Sequence, residues 1–307
     1  IILSMENEFL WYAGMGKKGY DDFEVARKAL DEEKGPIVLF SDSDDRLLIA
    51  TMDMSGDGLS DIVLIQNNGV AYYPNLGYGR FGAKVTMRMV GSFDHDDQFS
   101  PDFIHFADID GSGTTDIIYV GKNKIQVRYN YSGNSLSEVD EFYSPFPNID
   151  SQSKITVLDL LGNGTSCIVW SSALPGDREA PLRYIDVTKG IKPHVMTEYR
   201  NNMGKEVRVT YKSSTFYFLK DKKEGKAWVS KLPFPVQCVD QVITKDKVSQ
   251  LRFTNQYFYH HGYYDGVERE FRGFAMVEQI DTEEFEHYKT ETTNAGALNV
   301  IREDLYQ

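Results

Sequence analysis

Short apolar runs separated by polar, glycine-rich loops dominate the first two thirds of the chain. The runs IVLI, IIYV and IVWS each follow a glycine loop and precede a turn and a further strand-like stretch. Runs of this length between turn residues are typical of buried β-strands rather than of helices. The pattern therefore predicts three units of strand, glycine loop, strand, turn and strand, at 47–75, 102–130 and 154–186.

The three units form an internal repeat. Their first aspartates are Asp53, Asp108 and Asp159, which follow one another at intervals of 55 and 51 residues. A strand unit that recurs about every fifty residues is typical of the blades of a β-propeller. Three blades are too few for a closed ring, so either further blades lie outside this chain or other segments complete the ring. The alternating segment 5–13 is a candidate for an earlier blade, whereas the apolar spacing in 20–34 predicts a helix.

The repeat ends near residue 195, and a different strand-rich region follows it. Segment 191–204 is interpreted as the connection between the two regions. The predicted strands beyond it are longer and lie at 206–219, 236–244, 252–266 and 273–281. The sequence thus predicts an all-β protein with two domains, a partial β-propeller at 1–190 and an antiparallel β-sheet region at 191–307.

The first two glycine loops have the ligand spacing of a calcium-binding loop. Ca²⁺ requires hard oxygen ligands, and glycines allow the tight turn that brings alternate positions together. In DMSGDGLSD the side-chain ligands would be Asp53, Ser55, Asp57 and Asp61, with the carbonyl of Leu59. In DIDGSGTTD they would be Asp108, Asp110, Ser112 and Asp116, with the carbonyl of Thr114. These ten residues are the candidate metal ligands.

Two interpretations of these loops remain open, a structural calcium site and a turn whose aspartates accept their own backbone amides. An EF-hand is excluded, because Leu64 and Tyr119 stand where its bidentate glutamate would be. The third loop, DLLGNGTSC, keeps both glycines but places Leu161 and Cys167 at ligand positions. The glycine pattern therefore persists without the ligands, which favours the turn. A bound ion would be structural, and no cofactor is required.

The acidic composition of the chain argues against two classes of binding partner. The chain carries 46 Asp and Glu against 33 Lys and Arg, a net charge of −13, which argues against nucleic acid or an anionic membrane. No apolar run approaches the roughly 18 residues of a membrane span, so no direct membrane insertion is expected. No signal peptide is visible. Cys167 and Cys238 are interpreted as buried thiols. Both chain ends look arbitrary, and we expect a piece of a larger protein.

The search for catalytic groups predicts no enzyme. His260 and His261 are adjacent on a predicted strand, so their side chains point to opposite faces and a shared metal is not expected. The mixed charges of 265–274 are typical of cross-strand pairs. The sequence contains no G-x-S-x-G motif and no converging nucleophile, base or redox motif. Such a chain is better suited to binding or enclosing than to chemistry.

Several long motifs resemble the B component of bacterial insecticidal Tc toxin complexes and the related SpvB virulence proteins. They are DMSGDGLSDIVLIQNNGVAYYPNLGYGRFG (53–82), KEGKAWVSKLPFPVQCVDQV (223–242) and RFTNQYFYHHGYYDGVEREFRGFAMVEQIDTEEF (252–285). The resemblance covers most of the chain. It assigns about 45–190 to the middle/N-terminal region of that component and 195–290 to its middle/C-terminal region.

The resemblance implies a carrier function. Residues 1–190 would be propeller blades of the FG-GAP/VCBS type, which dock the B component onto the pore-forming A component. Residues 191–307 would begin an Rhs/YD-type shell that encloses the toxic effector together with the C component. The complex would be secreted and extracellular, and its parts made in the cytoplasm. The alternative is a calcium-dependent, integrin-like propeller for adhesion or protein binding; a hydrolase with paired carboxylates is the least favoured hypothesis.

Overall fold

The computed structural model describes residues 1–147, 149, 150 and 152–285. They divide into two compact units. Unit 1 comprises residues 1–158 and 166–189, and unit 2 comprises residues 159–165 and the chain from 190 onward. Strands predominate in both units, so the predicted all-β class is confirmed. In the described part of the chain, no helix is long and apolar enough to cross a membrane.

Unit 1 contains four antiparallel sheets that follow one another along the chain. Its strands are β1 (Ile2–Ser4), β2 (Glu8–Gly14), β3 (Tyr20–Arg27), β4 (Leu48–Met52), β5 (Asp61–Gln66), β6 (Gly69–Tyr73), β7 (Asn75–Gly77), β8 (Arg80–Phe81), β9 (Val85–Met87), β10 (Ile104–Ala107), β11 (Asp116–Val120), β12 (Lys124–Arg128), β13 (Asn130–Tyr131), β14 (Ser135–Leu136), β15 (Asp140–Tyr143), β16 (Ser153–Leu158), β17 (Cys167–Ser172) and β18 (Leu182–Asp186). The first sheet has the order β1-β2-β3 and the second β4-β5-β6-β9. The third has the order β10-β11-β12-β15 and the fourth β16-β17-β18, while β7-β8 and β13-β14 form short separate ladders.

Short 3₁₀ helices lie in the connections, at Gly16–Lys18, Phe40–Asp42, Pro101–Phe103 and Pro175–Asp177.

The central strand of the second sheet is buried on both faces. In β5, Ile62 and Leu64 pack with Phe9 of the first sheet, because alternate side chains of a strand share a face. Val63 and Ile65 point the other way and pack against the third sheet. An uninterrupted apolar run is therefore required here, and IVLI supplies it.

The central strand of the third sheet repeats this arrangement. In β11, Ile117 and Tyr119 join the core shared with the second sheet. Ile118 and Val120 join a core that contains Trp170 of the fourth sheet. Three hydrophobic cores thus lie between four consecutive sheets, which is how the blades of a propeller stack. The predicted partial propeller is confirmed.

The first sheet corrects one prediction. Residues 20–27 form β3 and pair with β2, with Phe23 opposite Tyr12 and Val25 opposite Leu10. The predicted helix at 20–34 is therefore wrong. Phe23 and Val25 fit the two-residue period of a strand, and the segment as a whole also fits the helical period. Pairing with residues of β2 favours the strand. The segment 5–13 does belong to this additional sheet, mostly as β2.

Unit 2 is built on one antiparallel sheet. Its strands are β19 (Glu198–Arg200), β20 (Lys205–Ser213), β21 (Gln237–Asp246), β22 (Leu251–Asp265) and β23 (Glu270–Phe285), paired in that order. The helix α1 (Ser214–Lys223) packs against this sheet, and the buried side chains of Tyr217, Trp228 and Cys238 form the core.

The helix α1 corrects the predicted strand at 206–219, which ends at Ser213. Ser213 caps the helix, because its hydroxyl accepts the amide of Phe216 at 3.4 Å. Lys220, Lys222 and Lys223 lie in the last turn, where cations favour the helix dipole. Capping and end charge therefore outweighed the strand preference of the aromatic residues in STFYFL.

Candidate functional site

The three glycine loops share one backbone turn. In the first loop the two carboxylate oxygens of Asp53 accept the amides of Gly56 and Gly58, each at 2.8 Å. The bond to the second glycine recurs in the second loop, where Asp108 accepts the amide of Gly113 at 3.0 Å. The aspartate at the start of each loop therefore closes the turn that follows it.

The third loop has the same turn without the acidic ligands. Asp159 accepts the amides of Asn163 and Gly164, at 3.1 and 2.8 Å. Gly162 and Gly164 have positive φ angles of 64° and 81°, close to those of the other loop glycines. Such angles are strained for residues with a Cβ atom, so the two glycines are required by the turn itself.

The last aspartate of the first loop ties three segments together. Asp61 is fully buried, and one of its oxygens accepts the amides of Met54 and Ser55 at 2.9 and 3.2 Å. Its other oxygen accepts the amide of Asn75, beyond the end of β6, at 2.8 Å. The side-chain amide of Asn75 returns to the carbonyl of Ser60 at 2.8 Å. The carboxylate of Asp61, at the start of β5, thus joins the loop to the first residue of β7.

The second loop repeats this arrangement atom for atom. Asp116 is fully buried and accepts the amides of Ile109 and Asp110 at 2.8 and 3.4 Å, and that of Asn130 at 2.8 Å. The side-chain amide of Asn130 donates to the carbonyl of Thr115 at 3.0 Å. A buried carboxylate with three amide donors is a structural hub, which sequence analysis recognised only as a ligand position.

Burial raises the pKa of both hub carboxyls. For Asp116 removal from water raises the pKa to about 6; the nearby Asp110 adds to the increase, whereas the amide donors oppose it. The pKa of Asp61 is raised in the same direction and mainly by the same cause. A concentrated, poorly hydrated negative charge therefore lies at the base of each loop.

The structure brings only some of the ten predicted ligands close to one another. In the second loop, carboxylate oxygens of Asp108, Asp110 and Asp116 lie within 4.8 Å of one another, which fits the oxygen chemistry of a divalent cation. Within the described residues no other group of three acidic, histidine or cysteine side chains meets this limit, so Asp53, Asp57 and Asp61 do not. The hydroxyls of Ser112 and Thr114 lie 3.0 Å apart. The hydroxyl of Ser55 is buried without a hydrogen-bond partner among the described residues, and Leu59 is partly exposed.

The loops also connect successive sheets. The carbonyl of Asp53 accepts the amide of Thr115 at 3.0 Å, and the carbonyl of Met54 accepts the side chain of Asn130 at 2.9 Å. The next pair of sheets is linked by a side-chain bond instead, in which the carbonyl of Asp108 accepts the hydroxyl of Ser166 at 3.5 Å. The first two glycine loops are thus each hydrogen-bonded to residues of the following sheet.

Exposed apolar side chains lie at the blade ends that carry these loops. Leu76 and Tyr78 follow β6 and are 64% and 71% exposed, and Tyr131 follows β12 and is 58% exposed. The hairpin turns at the opposite ends are polar, with Asn67 and Asn68 in the second sheet. Aromatic residues on an otherwise solvated surface are enriched in protein interfaces.

Unit 2 contains a polar network that sequence analysis missed. One carboxylate oxygen of Asp221, on α1, contacts Nδ1 of His260 and accepts the indole NH of Trp228, each at 2.6 Å. Nε2 of His260 makes no hydrogen bond among the described residues and lies 3.8 Å from a carboxylate oxygen of Glu278. The neighbouring His261 accepts the amide of Val229 at 3.2 Å. The network holds α1 against the sheet, and no local sequence pattern could join groups 39 residues apart.

The described contacts of this network show no activated nucleophile. In a catalytic triad the second imidazole nitrogen contacts the attacking group, but Nε2 of His260 has no such partner. The nearby thiol of Cys238 is buried, and burial raises its pKa to about 12. The predicted opposite orientation of the adjacent histidines stays a prediction, because His261 has a φ of 56° and the two imidazole rings lie 6.5 Å apart.

Two family models match the chain. The model described as insecticide toxin TcdB middle/N-terminal region matches residues 145–300, and an FG-GAP-like repeat matches residues 53–118. The first match runs across residue 190, where the sequence predicted the change from the middle/N-terminal to the middle/C-terminal region. The assignment of those two labels to 1–190 and 191–307 stays a prediction. No curated protein sequence matches the chain.

Solved Tc toxin structures resemble the chain over most of its length. The Tc holotoxin pore of Photorhabdus luminescens is 30% identical over 92% of this chain, with a TM-score of 0.79. A TcdB2–TccC3–Cdc42 crystal structure is 33% identical over 79% of the chain, with a TM-score of 0.69. TcdB2–TccC3 without its hypervariable C-terminal region is 29% identical over 90%, with a TM-score of 0.70. The chain spans between 11% and 13% of these matched chains.

Proposed function

Because the chain belongs to the insecticide toxin TcdB middle/N-terminal family, we propose that it is a non-enzymatic part of the B component of a Tc-type toxin complex. In this proposal the blades of unit 1 dock onto the pore-forming A component. The sheet of unit 2 begins the Rhs-type shell that encloses the toxic effector together with the C component. The complex acts outside the cell that makes it, and its partners are proteins rather than nucleic acid or lipid.

The observation that carries this proposal is the combination of stacked blades with a toxin-family sheet in one chain. The FG-GAP-like repeat matches residues 53–118, in the second and third sheets of unit 1, and the toxin-family match at 145–300 includes the fourth sheet and runs into unit 2. Among the residues that the structure describes, the Asp221–His260 pair stabilises α1 and contacts no nucleophile, which supports a housing rather than an enzyme. The calcium-dependent adhesion alternative is not favoured, since the matched structures are toxin components.

We assign the docking surface to the blade ends that carry the glycine loops. Tyr78 and Tyr131 are exposed there, and aromatic side chains with few rotatable bonds are suited to interface contacts. Replacing both by serine removes apolar contact area without disturbing a core. Tyr143, which is 79% exposed on the edge strand β15, is a matched control for general surface effects.

Biolayer interferometry with the purified pore-forming component tests this function. We expect binding with a Kd below the micromolar range, weakened roughly tenfold or more by the double variant Tyr78→Ser, Tyr131→Ser. Tyr143→Ser should bind like the unmodified protein. The absence of binding at micromolar concentration would refute the carrier function, whereas equal loss in all variants would refute only the docking surface.

We also propose that the second glycine loop holds a structural calcium ion. Its three clustered carboxylates, of Asp108, Asp110 and Asp116, supply the hard oxygen ligands, and the carbonyl of Thr114 lies in the same loop. The ion would offset the mutual repulsion of Asp110 and the buried Asp116. The first loop, with residues Asp53 to Asp61, keeps its aspartates as turn and hub residues.

A further inference from the structure

The hairpin turn that joins β5 to β6 places an asparagine directly before a glycine. The turn consists of Asn67 and Asn68, and Gly69 begins β6 opposite Gln66, the last residue of β5. Asn68 is exposed, and its side chain makes no hydrogen bond among the described residues. The backbone nitrogen of a glycine can approach the side-chain carbonyl of a preceding asparagine closely, because glycine has no Cβ atom to hinder it. Asn68 and Gly69 are therefore candidates for a reaction within the chain.

The sequence contains a second Asn-Gly pair, Asn163 and Gly164 of the third glycine loop, and its groups are hydrogen-bonded. The side-chain oxygen of Asn163 accepts the amide of Thr165 at 3.0 Å and its hydroxyl at 2.6 Å. The amide of Gly164 donates to the carboxylate of Asp159 at 2.8 Å. The nitrogen of Gly164 is thus held by a carboxylate whose negative charge disfavours loss of the amide proton. The two pairs have the same residues in different surroundings, so the second pair is a control for the first.

We propose that Asn68 is a site of spontaneous deamidation in the folded protein. In the first step the backbone nitrogen of Gly69 bonds to the side-chain carbonyl carbon of Asn68, which closes a succinimide ring. The bond from that carbon to the side-chain nitrogen breaks, and ammonia leaves with the proton of the Gly69 amide. In the second step water adds to either ring carbonyl and opens the ring, which leaves aspartate or isoaspartate. Water is the co-reactant, and nothing is oxidised or reduced.

The surroundings of the turn favour the reaction at Asn68 over the same reaction at Asn163. An exposed turn opens at a lower free-energy cost than a hydrogen-bonded core segment. A Cβ atom added at Gly69 would meet nothing within 4 Å apart from its chain neighbours, so the neighbourhood of this residue is open. At Asn163 the bond from Gly164 to a carboxylate must first break, and hydrogen bonds to charged groups are the stronger class. We therefore expect the reaction at Asn163 to be slower by roughly 10- to 100-fold.

The proposed modification lies next to a group of hydrogen bonds that hold the connection to the third sheet. The side-chain oxygen of Asn67 accepts the amide of Asp94 at 2.9 Å, and its backbone carbonyl accepts the amide of Phe93 at 2.9 Å. Its side-chain amide donates to the carboxylate of Asp96 at 2.6 Å. Isoaspartate at position 68 inserts a carbon atom into the backbone and adds a negative charge beside these groups. We expect this product to weaken the attachment of the connection.

Peptide mapping of the complete polypeptide by mass spectrometry tests the inference. After incubation at mildly alkaline pH, Asn68 should be converted at least about tenfold faster than Asn163 in the folded protein. In denaturant the two sites should react at similar rates, because both are then Asn-Gly pairs in an unstructured chain. Gly69→Ala should slow the conversion of Asn68 several-fold and leave that of Asn163 unchanged. The variant should fold normally, since its added Cβ atom has space.

Three other outcomes would overturn the inference. Equal rates at Asn68 and Asn163 in the folded protein would show that the surroundings of the two pairs do not control the reaction. Conversion of Asn68 only in denaturant would show that the turn protects it. A rate at Asn68 that Gly69→Ala leaves unchanged would exclude attack by the amide of Gly69. The assay contains no other toxin component, so its failure is distinct from failure of the proposed function.

Discussion

The buried carboxylate of Asp116 accepts the backbone amide of Asn130 at 2.8 Å, across 14 residues of chain. Asp61 makes the equivalent bond to Asn75 at the same distance and sequence separation. The repeat therefore conserves a three-dimensional connection within each blade, in addition to a pattern of glycines. The last aspartate of the motif therefore has a structural function in its blade that does not depend on metal binding.

Replacing Asp116 by alanine should destabilise unit 1 strongly. The amides of Ile109, Asp110 and Asn130 would lose their acceptor in a fully buried site. Leaving buried polar groups unpaired costs on the order of 1–3 kcal/mol each, with partial relief from relaxation, so we expect about 2–5 kcal/mol in total. Urea unfolding followed by tryptophan fluorescence measures this loss.

Asp57→Ala is the matched control, because Asp57 lies at an exposed loop position and accepts one amide, that of Leu59. Its free energy of unfolding should fall by less than about 1 kcal/mol. Similar losses for the two variants would contradict the assignment of Asp116 as a hub.

The sequence predicts the blades well because their signals are local. Glycines, alternating aspartates and apolar runs such as IVLI lie within a few residues of one another, and two-face burial of Ile62 and Val63 follows from stacking. The hub function of Asp61 was not predictable in the same way. Its partner Asn75 lies in another strand, and nothing near either residue signals the bond.

The two incorrect predictions have a related cause. The apolar residues of 20–34 fit both a helical period and the two-residue period of a strand. Residues 20–27 form a strand because β3 pairs with β2, with Val25 opposite Leu10. In 206–219 the aromatic residues favoured a strand, but capping by Ser213 began a helix. The Asp221–His260 contact joins elements 39 residues apart, and a single sequence carries no signal of such a contact.

Calcium should stabilise the protein through the second loop. We expect added Ca²⁺ to raise the Tm of the unmodified protein by a few degrees, since a ligand that binds only the folded state shifts unfolding by mass action. Asp110→Asn should abolish the shift, because it removes one of the three clustered carboxylates. Differential scanning fluorimetry with Ca²⁺ and with a chelator measures both values.

Asp57→Asn is the matched control in the first loop and should keep the full shift. If Asp57→Asn abolished the shift and Asp110→Asn kept it, the ion would be in the first loop. If no variant and no concentration of Ca²⁺ changed the Tm, both loops would be turns without metal.

Acid should destabilise unit 1 through His105. This residue lies on β10 opposite Ile118, near the core between the third and fourth sheets, and burial lowers its pKa to about 4. The folded state therefore favours neutral imidazole. Its stabilising effect is complete above about pH 6.5, the pKa of an unfolded histidine, and is lost as the pH falls toward 4.

His105→Gln should remove about 1–3 kcal/mol of the stability difference between pH 7 and pH 4, because glutamine does not titrate. Urea unfolding at several pH values between 4 and 7 measures how the free energy of unfolding changes with pH. His95→Gln, at an exposed position, should follow the unmodified protein. Identical pH profiles for His105→Gln and the unmodified protein would assign the acid sensitivity to other groups.

The packing between consecutive glycine loops is open to a direct test at Gly56. Gly56 and Gly58 have similar φ angles, 81° and 86°, so alanine is strained at both by about 1 kcal/mol. A Cβ atom at Gly56 would lie 2.9 Å from Cγ2 of Thr114, whereas nothing lies within 4 Å at Gly58. Gly56→Ala should therefore cost about 1–2 kcal/mol more than Gly58→Ala in urea unfolding. Thr114→Ser removes Cγ2, keeps the hydroxyl and should recover most of that excess. Purely additive effects of Gly56→Ala and Thr114→Ser would show that the two loops do not pack as described.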